Sequence, residues 1–248
     1  MLYGMRESGT DMLSYDEVRI ASRAAGFDGC GVCGVEPFNE WTGREELTLA
    51  RDVRVYASDA RVLLVLAQSI PPYETEGGIA SYYIASSGAF CRAKVLAKML
   101  GGVHVPNIPL RTAALRAGMG VVGRNQLMIW PEKRVAPHLQ AIALPYALPL
   151  DAPRAQTYCL RCDACVHACP TNAIAGGKFH FARCLRAKMA HGTLPEPEFR
   201  AKMGSRVLGC ETCQRACPML TARMPDLPGD VRLTAERVLF ACTDAELA

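Results

Sequence analysis

A chain of 248 residues, half hydrophobic and 21% charged, can bury a substantial core, which excludes a disordered or low-complexity protein. A net charge of +4 without basic runs excludes the electrostatic footprint of a protein that wraps nucleic acid. Met1 to Asp16 lacks the apolar core of a signal peptide, and the most apolar stretch, Val62 to Ala67, is too short to cross a bilayer, so a soluble cytoplasmic protein with no membrane partner is expected.

Ser14 and Glu17 have the spacing of a capping box, Val18, Ala21 and Ala25 share one helical face, and Gly26 can close that first helix. A glycine-rich strand from Phe27 to Val35 and a polar helix from Phe38 to Ala50 are expected next. The run Arg61 to Ala67 reads as a strand, and its unbroken apolar character predicts a sheet covered on both faces. Pro71, Pro72, Gly77 and Gly78 mark a loop. Residues 80 to 100 read as a helix, with Cys91, Val95 and Met99 at i, i+4 and i+8 as its apolar face. Pro106 and Pro109 precede a short helix that ends at Gly118, and two strands follow, Gln126 to Trp130 and Leu139 to Leu144. Residues 1–150 thus read as an α/β sandwich. Three prolines between Pro145 and Pro153 suggest a linker into a second unit, residues 151–248, which ends in a helix from Val231 to Leu247.

Twelve cysteines in a chain expected to be cytosolic point to metal or redox chemistry rather than disulfides. Eight of them crowd between Cys159 and Cys217. Cys159, Cys162, Cys165, Cys169 and Pro170 form C-x2-C-x2-C-x3-C-P, the run of bacterial-type ferredoxins. Three thiolates two residues apart can wrap one corner of a cubane, while the fourth is carried on a short helix towards a second cluster. Cys210, Cys213, Cys217 and Pro218 repeat the motif with one cysteine missing, and Cys184 can supply it. By the crossing rule, one 4Fe–4S cluster takes Cys159, Cys162, Cys165 and Cys217, and the other takes Cys169, Cys184, Cys210 and Cys213. C-x2-C pairs also bind zinc, but zinc leaves the triplet and the two Cys-Pro endings unexplained. Cys91 and Cys242 read as core residues, and Cys30 with Cys33 as a C-x2-C inside a strand, without further ligands. His167 lies between two ligands and reads as a cluster-shielding side chain.

Gly118-Met-Gly-Val-Val-Gly123 matches G-x-G-x-x-G, yet a helix precedes it and a strand follows, the reverse of the dinucleotide-binding context. What remains is a glycine turn at Gly118, Gly120 and Gly123 that lets backbone approach a large ligand, with Arg124 and Asn125 at its rim.

The stretch Ile108 to Asn125, followed by Gly209-Cys-Glu-Thr-Cys-Gln214, resembles the epoxyqueuosine reductase family. Ala24-Ala-Gly-Phe-Asp28, leading into Gly31-Val-Cys-Gly34, is similar to that family's first helix and strand. The resemblance covers most of residues 15 to 220 and extends to the wider superfamily that includes the reductive dehalogenases. It implies an α+β protein: a cobalamin-binding domain of nitroreductase-like fold, then a ferredoxin-like two-cluster domain whose clusters reduce the corrinoid to Co(I). It also implies an acidic residue before the proline preceding the glycine segment. A gapless count puts His104 there, as a candidate proton donor beside the reading of a partly exposed loop histidine. The loops at 41–61 and 100–106 look shortened, and the family's helical-repeat domain is not expected in the residues after Cys217. Three functions compete: a corrinoid-dependent reductase fed by a low-potential donor, a ferredoxin-type carrier or corrinoid-activating partner, and a nucleic-acid module with structural clusters. Specific transfer-RNA binding is not expected.

Overall fold

The computed structural model describes residues 13–40, 49–70, 78–155, 158–189 and 196–221, the side chain of Ile84 excepted. Helix α1 spans Tyr15–Ala24, and its capping box forms: Ser14 Oγ accepts the Glu17 N–H, and Glu17 accepts the Ser14 N–H at 2.9 Å. Gly26 follows with φ 81°, the left-handed conformation that lets the chain turn at once into β1, Gly29–Cys33.

The central sheet is antiparallel, in the order β1, β2 (Val62–Gln68), β6 (His138–Leu144), β3 (Val103–His104). Val65 lies opposite Gly31 on one side and Ala141 on the other. Alternation along β2 sends Leu63, Val65 and Ala67 to one core with Phe38, Val53 and the alanines of α3, Leu110–Arg116. Val62, Leu64 and Leu66 enter a second core with Val18 of α1 and Ala89, Ala93 and Leu96 of α2, Ser81–Met99. Both faces of β2 are dry, as its unbroken apolar run predicts. Each fully buried Leu contributes about 1.5–3 kcal/mol.

The packing of α2 differs from expectation. Cys91 is only half-buried, and Val95 and Met99 are about 60% exposed. The buried stripe is Ala89, Ala93, Leu96, Ala97 and Leu100. Small alanines let the helix axis approach the sheet, and the bulkier stripe is left outside. Of the expected helix from Phe38 to Ala50, residues 41–48 lie outside the described ones, and Asn39 and Glu40 form a turn. Segment 145–153 has no regular structure, as its prolines require, but it is anchored. Asp151 exchanges backbone contact with β1 through its N–H to the Val32 carbonyl, and its carboxylate accepts the Val32 N–H and the Tyr15 hydroxyl, each at 2.7 Å. The expected helix at 231–247, with Cys242, lies outside the described residues.

Strands β4 (Val121–Val122) and β5 (Met128–Ile129) form a small hairpin after α3, so the glycine segment does sit between a helix and a strand. The remaining described chain consists of short pieces: α4 (Ala164–Ala168), the hairpin β7–β8 (Ile174–Ala175, Lys178–Phe179), α5 (Leu185–Met189), α6 (Pro197–Met203) and α7 (Thr212–Arg215). No described helix is long and apolar enough to cross a membrane.

Candidate iron–sulfur centres

The loop before α4 is bent by two residues in the left-handed region, Arg161 at φ 52° and Asp163 at φ 60°. These turns bring the thiols of Cys159, Cys162 and Cys165 round one small cavity. Its fourth cysteine is Cys217, more than fifty residues later and directly after α7. Burial pushes the Cys165 thiol up, and the neighbouring thiolates Cys217, Cys159 and Cys162 push it further. Burial does the same at Cys217, offset in part by the N–H groups of Met219 and Leu220.

A second set forms around Cys213. Burial pushes its thiol up to about 12, and the charges of Cys210, Cys184 and Cys169 add to the shift. Cys169 is the exception: burial opposes its ionisation, but the N–H groups of Thr171, Ala173 and Ile174 prevail and leave it below the ordinary thiol value. The Ala173 N–H reaches its sulfur at 3.2 Å. At Cys184 burial raises the thiol against the N–H groups of Ala187 and Arg186. Backbone N–H groups aimed at sulfur, and thiols that penalise one another when ionised, suit a site where iron takes up the thiolate charge. Among the described residues no three His, Cys, Asp or Glu side chains converge as ligands of a single ion would. The first set lines a small cavity instead, and in the second Cys213 lies within electrostatic reach of Cys210, Cys184 and Cys169. The residues present therefore fit two cubane clusters.

The glycine segment meets this unit directly. Arg124 forms an ion pair with Asp163 at 2.8 Å, and buried Asn125 donates to the Cys213 carbonyl at 3.3 Å while its Oδ1 accepts the Leu127 N–H at 3.2 Å. Gly123, Arg124 and Asn125 form one wall of the cavity of Cys159, Cys162, Cys165 and Cys217. A Cβ on Gly118 would collide with the Ala152 carbonyl and one on Gly120 with the Ile129 carbonyl. One on Gly123 would sit 2.6 Å from Asn125 Oδ1. Only Gly118 of the three has positive φ, at 63°. These glycines are used for close packing of the chain on itself. Gly118 does border a separate cavity of about 440 Å³, with Arg19, Arg23, Cys30, Trp130 and Arg154, which none of the eight motif cysteines lines.

His104 sits on β3, its Nε2 2.7 Å from Gln140 Oε1 and its ring 4.7 Å from that of Phe90; burial lowers its pKa. Gln140 also bonds buried His138 through the two Nε2 atoms, at 2.8 Å. The His138 ring packs at a tilt, 4.9 Å between centroids, against Tyr82 of α2, and burial, with Arg186 and Arg92 nearby, pushes its pKa down to about 4. This polar layer between α2 and the sheet was not anticipated, although a histidine and a glutamine inside the apolar run of β6 are its signal. Cys30 and Cys33 point to opposite faces of β1 and enter different cores, so they form no pair. His167 is exposed.

A sheet covered by helices on both faces, joined to a unit with two four-cysteine sets, defines an α/β protein with a two-cluster ferredoxin-type domain. Residues 158–219 match the 4Fe-4S double cluster binding domain family. The chain is 26% identical over 241 residues to an epoxyqueuosine reductase of Aliivibrio fischeri, covering 86% of this chain and 64% of that one. Its fold superposes on an epoxyqueuosine reductase crystallised with an epoxyqueuosine-modified tRNA-Tyr stem loop, with a TM-score of 0.71, 19% identity and coverage of 87% and 68%. It also superposes on a reductive dehalogenase described as B12-dependent, at TM-score 0.60, 17% identity and coverage of 94% and 36%. The resemblance to the epoxyqueuosine reductases thus extends through both units, and the chain spans less than two thirds of the length of the curated relatives it matches.

Proposed function

We propose that this chain is an iron–sulfur oxidoreductase of the epoxyqueuosine reductase type, with an α/β unit at residues 1–150 and a two-cluster unit at 151–248. Cys159, Cys162, Cys165 and Cys217 hold the first 4Fe–4S cluster; Cys169, Cys184, Cys210 and Cys213 hold the second. Single electrons from a low-potential donor pass through the clusters to an acceptor on the α/β unit, and a small or nucleoside-type substrate is reduced there. The observation that carries this reading is the shared cavity: Cys159, Cys162, Cys165 and the distant Cys217 line it, and residues 123–125 of the α/β unit form its wall. A cluster so walled is electronically close to whatever the α/β unit binds.

By analogy with the B12-dependent relative, the acceptor is a corrinoid, which when bound supplies a metal centre of very low potential. Gly118, Gly120, Gly123, Arg124 and Asn125 are engaged in packing and docking, so none of them is assigned to it, and His104 is not assigned a proton-transfer step. A second reading, a ferredoxin-type carrier or corrinoid-activating partner, is favoured by that same engagement. Specific transfer-RNA recognition is not part of the proposal, in keeping with the mild net charge of +4.

Anaerobic reconstitution followed by titration with cobalamin tests both readings. Eight irons with stoichiometric cobalamin binding and a spectral change support the reductase. Eight irons without binding at micromolar cobalamin leave the carrier. Four irons with zinc making up the rest would overturn the ligand sets.

A further inference from the structure

Two residues after Cys184, Arg186 reaches from α5 into the first turn of α2. Its guanidinium carbon lies 4.3 Å from the centre of the Tyr82 ring and 5.5 Å from that of Tyr83, and its Nε donates to the Tyr83 hydroxyl at 3.3 Å. The groups that hold it are neutral, and among the described residues no carboxylate pairs with it. The same turn of α2 is fixed to the second cysteine set from the other side, because Ser81 donates to Glu211, the neighbour of Cys210, at 2.5 Å.

Other charges near the cysteines are offset by a partner or, like Arg161 beside Cys162 and Arg183 beside Cys184, exposed to screening water. Arg124 faces Asp163 at 2.8 Å, and Glu211 faces Arg215 at 3.7 Å. Arg206, held by the Thr212 hydroxyl, lines an open cavity where water screens it. Arg186 is thus a cation clamped between two rings, at the side of Cys184 that faces the α/β unit. One-electron reduction of a cluster adds one negative charge, and a fixed cation nearby stabilises the reduced state more than the oxidised one.

We infer that Arg186 sets the potential of the second cluster: its charge, held in place by Tyr82 and Tyr83, makes that cluster the better electron acceptor of the two. Electrons delivered to either cluster then collect on the second, which also meets the α/β unit through Arg186 on Tyr82 and Glu211 on Ser81. This rests on the ligand sets proposed above.

The test is an anaerobic redox titration followed by electron paramagnetic resonance on the reconstituted full chain and on Arg186→Gln and Arg186→Lys. A unit charge acting over roughly 10 Å at an effective dielectric constant of about 20 shifts an equilibrium about tenfold or more. The Gln variant should therefore lower one cluster's potential by about 59 mV or more, the one-electron equivalent of tenfold, and leave the other cluster unmoved. The Lys variant, which keeps the charge, should stay within a third of that shift. Equal shifts in both variants, or none in either, would overturn the inference. If Arg186→Gln does not retain eight irons, Tyr83→Phe frees the guanidinium to swing away and should give a smaller shift in the same direction; no shift there overturns the inference as well. A parent chain that never takes up eight irons refutes the ligand sets instead, so the two failures are distinguishable.

Discussion

Asn125→Ala separates a docking role for the glycine segment from a corrinoid-binding one. The Asn125 side chain is 4% exposed and makes two hydrogen bonds, to the Cys213 carbonyl and from the Leu127 N–H. Truncation leaves both backbone groups without their partner, at about 1–3 kcal/mol each. A total of about 2–6 kcal/mol raises the population of undocked clusters roughly 30- to 20,000-fold, since about 1.4 kcal/mol is tenfold. The assay is anaerobic iron release to a strong chelator, followed at the cluster absorbance near 400 nm. Release from Asn125→Ala should be at least tenfold faster than from the parent protein, with far-UV circular dichroism unchanged before chelator is added. Parent-like iron release combined with loss of cobalamin binding would refute the docking argument and make Asn125 a cofactor contact.

Cys217→Ser should damage the cluster of Cys159, Cys162 and Cys165, and Cys169→Ser the other, each halving the iron content measured by colorimetric assay. Leu64→Ala, in the dry core under α2, should cost about 2–5 kcal/mol in urea unfolding. Burial holds His138 near pKa 4 in the folded chain against an ordinary value of 6.5, so between those values only the unfolded chain takes up its proton. Stability should fall by up to about 3 kcal/mol as pH drops from 6.5 towards 4, and His138→Gln should flatten that slope in pH-resolved unfolding. Binding to a transfer RNA anticodon stem should be weak and vanish as salt rises, as gel shift at two ionic strengths would reveal.

Periodicity and motif spacing carried much of this architecture. The capping box at Ser14 and the doubly buried strand at Val62–Gln68 both follow from patterns that chain geometry enforces. Other features depend on what neighbours supply. Cys91, Val95 and Met99 have helical spacing as good as that of Ala93, Leu96 and Leu100, and only the closeness of sheet to helix selects the alanine side. Glycines at 118, 120 and 123 indicate that something approaches closely, without telling whether it is a ligand or the carbonyls of Ala152 and Ile129. Arg186 could not be paired with Tyr82 and Tyr83 beforehand, because a hundred residues separate them and no motif joins them. Pro145, Pro149 and Pro153 forecast an irregular segment but not the aspartate that anchors it.

That anchor affects how the two units can be separated. Strand β1 is an outer strand of the sheet, and Asp151 lies along its free side, occupying the Val32 N–H and carbonyl. A polypeptide cut after residue 150 would keep every strand and helix of the sandwich yet present β1 as an open template for pairing with another molecule. Such a fragment should self-associate on expression, and one extended through Ala155 should remain dispersed. The residue that starts the cluster unit is therefore also the guard on the sheet's edge.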